Sequence, residues 1–339
     1  MMPSPWSEKG WLAVFLCLGL LVLPRSGAAF ELQPLATRDL SPAAIGFGLP
    51  TLEAAHVLPE GRGRLRGTVD LVSNFTFDDH GEEQLFFDGE THRLALAADW
   101  GIGRGMEVGA ELPLVSHNGG FLDSFIEGWH DFFGLPQGNR DLFPRDRLNY
   151  SYARSGGEGF QLDGSTAALG DLALSFGWQL RRDEAKGQAL ALRARLKLPT
   201  GDADKLTGSG GTDLALWLSA EQRGSGAGGG WFLYGGSGVL YTGDGELLSD
   251  QRRNLVGLLH FGLGWQPFSA LGLQLQFDGH SSLYSGSRLK QMDAFAGQLA
   301  IGGSCALREG TVLELAVTED VFVETVPDVG FHLALRQSF

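Results

Sequence analysis

The sequence is poor in several things, and each shortage removes a class of protein. Of its 339 residues only two are cysteine, Cys17 and Cys305. Neither a disulfide framework nor a zinc-binding cysteine cluster can be built from that pair. Charged residues make up 19% of the chain, and acidic ones outnumber basic ones, for a formal charge of −14. Such a balance argues against nucleic acid as a partner. After the N-terminus no second run of about 20 apolar residues occurs, which excludes a bundle of membrane-spanning helices. Catalytic signatures are missing too: no Gly-x-Ser-x-Gly, no phosphate loop and no His-Glu-x-x-His. The chain is expected to be no enzyme and to need neither cofactor nor metal.

What is present begins with a secretory signal. Lys9 precedes an apolar stretch from Trp11 to Leu23, Pro24 ends it, and Gly27, Ala28 and Ala29 are small. This pattern predicts a cleaved signal peptide over residues 1–29, cut near Ala29. Cys17 lies inside the apolar stretch between bulky residues, so it is not a lipidation site. Cleavage removes Glu8, Lys9 and Arg25 and leaves the mature chain one unit more acidic.

From about residue 61 onward the apolar residues repeat every second position, the period of a strand. Leu94, Leu96, Ala98 and Trp100 alternate with Arg93, Ala95, Ala97 and Asp99. Met106 to Leu114, Leu172 to Leu180 and Leu190 to Leu198 do the same, as do the later segments as far as Phe339. Residues 231–242 are apolar on both faces, so their orientation stays open. The pattern predicts about twelve strands of ~10 residues, long enough to cross a bilayer when tilted. Connections alternate in length. The short ones are 101–105, 181–187, 224–230, 266–270 and 307–310. The long ones are 78–90, 117–167, 199–211, 243–253, 283–289 and 320–327. Short turns on one side and long loops on the other mark an up-and-down transmembrane β-barrel. Almost all charged side chains in mid-strand fall on the face opposite the apolar one. On a lipid face a lysine or arginine would cost ~2–4 kcal/mol.

Parity sends one set of charges inward. Arg193, Arg195 and Lys197 form a basic ladder, with Arg64 and Arg66 as further members. Glu107, Glu111, Asp171, Asp213, Glu221 and Asp278 face them. Two readings stay open: a salt-bridged filling that closes the barrel, and a charged path that guides a solute. His260, His280 and His332 also point inward, as hydrogen-bonded lumen residues rather than ligands or catalysts.

Two parts do not alternate. Residues 30–60 carry Pro34, Pro42, Pro50 and Pro59, which disfavours strand and long helix. The segment is expected to enter the lumen as a plug or to lie below the barrel. Within the loop 117–167, Phe121, Leu122, Phe125, Ile126, Trp129, Phe132 and Phe133 recur at helical spacing. Gly134 and Pro136 stop the pattern. An acidic opposite face predicts a helix folded onto the barrel mouth, with Phe121, Phe125, Ile126, Trp129 and Phe133 as its apolar side.

The carboxyl end, Phe331, Leu333, Leu335 and Phe339, resembles the terminal signal by which outer-membrane barrels are recognised for assembly. Gln337 departs from it, since an aromatic usually stands there. Leu198-Pro199-Thr200-Gly201-Asp202, with Gly170-Asp171 upstream, resembles the outer-membrane family associated with meta-pathway phenol degradation. Gly119 to Glu127 and Pro136 to Arg140, with Thr37-Arg38-Asp39 and Gly48-Leu49-Pro50, resemble a family of uncharacterised bacterial proteins of unknown function. The first family is thought of as channels for hydrophobic compounds, and the second implies only fold and location. The resemblances imply a Gram-negative outer-membrane barrel, meeting outer-membrane lipid, lipopolysaccharide and the barrel assembly machinery. The function expected is a monomeric channel or transporter for a small, apolar solute. A structural or binding barrel without flux is the alternative, and an outer-membrane hydrolase a third.

Overall fold

In a computed structural model, residues 30–133, 143–226, 228–322 and 325–339 are described. The signal-peptide and cleavage expectations for residues 1–29 lie outside them. In chain order the elements are β1 (Gly63–Asp79), β2 (Glu83–Gly103), β3 (Met106–Asn118), α1 (Asp123–Phe133), β4 (Asn149–Arg154), β5 (Phe160–Leu162) and β6 (Thr166–Leu169). Then come β7 (Ala173–Asp183), β8 (Gln188–Lys197), β9 (Asp213–Gly226), β10 (Gly229–Thr242), β11 (Leu255–Phe268) and β12 (Leu271–His280). The chain ends with α2 (Lys290–Asp293), β13 (Ala296–Arg308), β14 (Thr311–Asp320) and β15 (Val329–Ser338).

Twelve of the strands, β1–β3 and β7–β15, form one closed antiparallel barrel. The last strand pairs with the first, from Arg64 opposite Ser338 to Ser73 opposite Val329. Closure leaves no unpaired edge for lipid to meet. The terminal Phe339 seals the seam by exchanging backbone hydrogen bonds with Gly63, at 2.9 and 3.0 Å. Its ring lies 6.0 Å from that of Trp100.

The polarity is that of a membrane barrel. Leu96, Leu112, Leu216, Leu263, Leu275 and Ile301 are exposed on the outer face. Arg93, Glu111, Arg193, Lys197, Asp213 and Glu314 are buried within. Water outside would penalise that arrangement, whereas hydrocarbon outside favours it. β10 settles the open orientation. Phe232, Tyr234 and Leu240 are buried and face inward, while Leu233, Val239 and Tyr241 face outward.

The structure corrects the long-loop boundaries. Residues 78–90 are no open loop, because β1 and β2 continue to Asp79 and from Glu83 as one projecting hairpin. Phe77 and Phe86 meet edge to face at 5.7 Å across it. Such aromatic pairs extend a hairpin past the membrane zone. The 117–167 region holds β4 and β5, which widen that hairpin into a small sheet beside β2, and the start of β6, which pairs with the outer end of β3.

Pro113 has no N–H to donate, and β3 pairs with β7 only from Met106 to Glu111. The Pro-Thr-Gly stretch repairs the interruption. Thr200 Oγ1 accepts from Leu172 N at 2.8 Å and donates to the Gly170 carbonyl at 3.1 Å. Gly201 N donates to Asp171 at 2.7 Å. The motif is thus a patch over a break in the ladder.

The mouth placement of the helix is also corrected. Leu122, just before α1, and Ile126 within it are buried against Val329 and Phe331 of β15. Phe331 shares the outward parity of Leu333 and Leu335, so α1 lies on the outer wall. Phe125 meets Phe331 at 5.9 Å and Phe121 stays exposed just before the helix. Glu90 accepts the amides of Phe121 and Leu122, at 2.6 and 2.5 Å, and fixes the turn. The side chains of Trp129 and Phe133 lie outside the described residues.

Candidate functional site

The inward face of a barrel is where a solute or a filling must sit, and here the two walls differ. On one side, β1–β3, β7, β8, β14 and β15 bring charges together. Glu111 Oε1 accepts from Arg93 and Arg195, both at 2.6 Å, and from Arg38 at 3.0 Å. Arg66 stands 3.7 Å from the other oxygen. Arg93 continues to Asp70 at 3.3 Å, Asp70 to His332 at 2.6 Å, and His332 to Glu314 at 3.0 Å.

The ladder expected from parity therefore exists, but its members separate by height. Arg193 pairs with Glu107, and Arg195 with Glu111. Lys197 binds Asp171 at 2.7 Å and lies 3.3 Å from Asp213. Asp213 also takes Arg252 at 2.8 Å. Asp278 stands apart from the basic ladder. It accepts from Thr37 at 2.6 Å and faces His260 at 2.9 Å. Arg38, Glu53 and Asp39 were not foreseen as members, because residues 30–60 carry no periodicity to assign a facing direction.

The wall on β9–β11 carries, beside the inward Asp213, Glu221 and His260, an apolar patch. Trp217, Phe232, Tyr234, Leu240, Val256 and Leu258 are buried in one cluster with Phe47, Leu49 and Leu52. Phe232 and Tyr234 stack at 4.5 Å, with Arg223 4.0 Å above Phe232. The cluster reaches the outer loops through Leu247, Leu283, Tyr284 and Met292.

Residues 30–60 run between the walls and bond to both. Backbone amides of Leu35, Ala36, Gly48 and Ala55 donate to Gln276, Glu314, Asp213 and Glu221 at 2.8–3.0 Å. Lys197 Nζ donates to the Gly46 carbonyl at 2.9 Å, and Asp39 meets His280 at 3.1 Å. Beside Asp39 and His280 lies a cavity of about 10 Å³, room for about one water. Below the strands His56, 3.7 Å away, is the largest cause holding the Glu31 carboxyl down at about 2, with Arg223 adding to it. A depressed carboxylate contributes above its ordinary range and is lost only as pH falls toward that value. Glu31 therefore stays ionised at neutral pH.

Close fit gives a direct test of this packing. A side chain on Gly48 would meet Asp213 Cβ at 2.9 Å and Lys197 Cβ at 3.2 Å. Gly48→Leu is expected to push the segment off the wall at ~1–3 kcal/mol, the usual cost of overpacking. Amide exchange over residues 35–55 should accelerate while the barrel strands stay protected. Unchanged exchange there would refute the close packing.

The chain belongs to the family DUF3187, proteins of unknown function, whose family model matches residues 11–339. A search of curated proteins gives no match. Among solved structures, the chain is similar to the COG4313 outer membrane channel from Pseudomonas putida F1. The TM-score is 0.55 at 12% identity, covering 84% of this chain and 98% of that one. It is less similar to the Ralstonia pickettii toluene transporter TbuX, with TM-score 0.39 at 12% identity over 93% and 96% of the chains. The NanC porin gives a TM-score of 0.42 at 8% identity over 82% and 98%.

Proposed function

We propose that this protein is a monomeric outer-membrane channel for a small solute with an apolar body, held shut by residues 30–60 acting as a plug. The observation that carries the reading is the kind of contact that holds the segment. Many of its anchors are hydrogen bonds and ion pairs to wall side chains, which water can replace as the segment leaves. Behind it stands the apolar patch of Trp217, Phe232 and Tyr234, a surface with no use for water or small ions. A fold shared with a protein described as an outer membrane channel supports the same reading. A relation to the meta-pathway phenol-degradation family, based on Leu198 to Asp202, is consistent with an apolar solute. Outer-membrane lipid, lipopolysaccharide and the assembly machinery that reads Phe339 would be its partners, after a signal peptide is cut near Ala29.

One observation favours the alternative, a barrel without flux: residues 30–60 bond to inward-facing side chains on several strands and pair with their charges. Conductance separates the two. Purified intact chain in planar bilayers is expected to rest closed, and a chain lacking 30–60 to pass a steady current on the order of tenfold larger, since about twelve strands enclose more than a filled core. Equal, negligible current from both, with the deletion chain folded, would leave the non-conducting barrel.

A further inference from the structure

Arg193 is held from both sides, by the barrel wall and by the segment. Its Nη1 pairs with Glu107 of β3 and with Glu53 of the segment, the latter at 3.1 Å. Its Nη2 donates to the Ala54 carbonyl. Its Nε has no hydrogen-bond partner among the described residues, although the residue is only 1% exposed. Nε and Nη2 form the edge with which a guanidinium grips a carboxylate through two parallel bonds. Here that edge is half used, and only by a peptide carbonyl of the segment.

The next residue along the segment completes the picture. Leu52 reaches the gap left by Gly236, beside Trp217. Trp217 stands directly across from Arg193 in the β8–β9 register and is 2% exposed. Leu52 and Glu53 thus present, side by side, an apolar body to Trp217 and a carboxylate to Arg193.

We propose that Leu52 and Glu53 occupy the station of the channel's own solute, and that this solute is a small monocarboxylate with an apolar body, of about the bulk of benzoate. The carboxylate would displace Glu53 from Nη1 and the Ala54 carbonyl from Nη2, gripping the end of the Arg193 fork, and the apolar body would take the place of Leu52 against Trp217. Glu107, on the other side of the guanidinium, repels a second negative charge and disfavours dianions such as phosphate. The proposal rests on the reading that the segment can leave the lumen, and it names the class of solute that competes with it.

The test uses full-length protein in detergent, with heat-modifiable migration as the check on folding. Benzoate is the probe and benzamide its uncharged counterpart, both followed by equilibrium dialysis. Glu53→Gln is expected to bind benzoate about tenfold more tightly than the intact chain, because the internal competitor loses its charge. Adding Arg193→Gln should abolish the gain. Adding Arg193→Lys, which keeps the charge and the fold but not the fork, should remove most of it. Benzamide should bind all four proteins alike. The proposal is overturned if Glu53→Gln brings no gain, if the gain survives loss of the Arg193 fork, or if benzamide follows benzoate. Conductance reads the other question. A chain that binds benzoate through Arg193 but passes no current keeps the station and loses the channel; current without such binding does the reverse.

Discussion

Glu111→Leu is expected to be among the most damaging single substitutions in the barrel, and Arg38→Met, a few ångströms away, nearly harmless. Four guanidiniums, from Arg38, Arg66, Arg93 and Arg195, converge on the one Glu111 carboxylate. Removing the carboxylate leaves mutually repelling cations in a space with little water. Stranding a buried charge costs about 3–5 kcal/mol, and several are affected here. Removing Arg38 instead relieves like-charge crowding and costs its bond to Glu111, while Arg93 and Arg195 keep theirs. The two effects oppose each other, so the net change should stay within about 1 kcal/mol. Denaturant unfolding from phospholipid vesicles measures both. Equal losses for the two variants would show that the cluster acts as independent pairs rather than as cations sharing one anion.

That asymmetry also explains which parts of the site the sequence reveals. Period two tells on which face Arg193, Arg195, Lys197, Glu107 and Glu111 lie, since each sits on a strand. It does not tell which meets which. Partners are set by stagger between strands, and Arg195 reaches Glu111 through a register that no single strand carries. Arg38, Asp39 and Glu53 stay hidden for a different reason. Their segment is held by tertiary contacts alone, with Pro34, Pro42 and Pro50 preventing any regular pattern. The signal that could have found them is charge itself: Arg38, Asp39 and Glu53 stand among mostly apolar neighbours and need partners somewhere.

The fold was far more legible, because a membrane imposes its constraint on every strand. Alternation, the short and long connections and the terminal Phe339 all follow from one demand, that apolar side chains face lipid and no edge stays open. Legibility fails where that demand ends. Beyond the lipid zone, residues 78–90 continue as a hairpin with no obligation to alternate, and its Phe77–Phe86 pair has no local signature. The helix was recognisable as amphipathic, but amphipathicity names a buried face without naming what covers it. Leu122 and Ile126 found Val329 and Phe331 on the outside of the wall, not the rim of a mouth.

Depth in the membrane gives the last prediction, and it tests the orientation directly. Leu275 lies in the middle of β12 and Leu255 at the long-loop end of β11; both face outward and both are exposed. A soluble barrel would accept arginine equally at either position, since both would meet water. In a bilayer the cost depends on depth. Leu275→Arg is expected to destabilise the barrel by about 2–4 kcal/mol, and Leu255→Arg by about 0–1 kcal/mol. The difference is large enough to read from folding equilibria in vesicles. It should vanish in detergent micelles, whose thin and adaptable apolar layer lets a guanidinium reach water from either site. A penalty at Leu255 equal to that at Leu275 in vesicles would mean that the apolar band does not stop where the long loops begin.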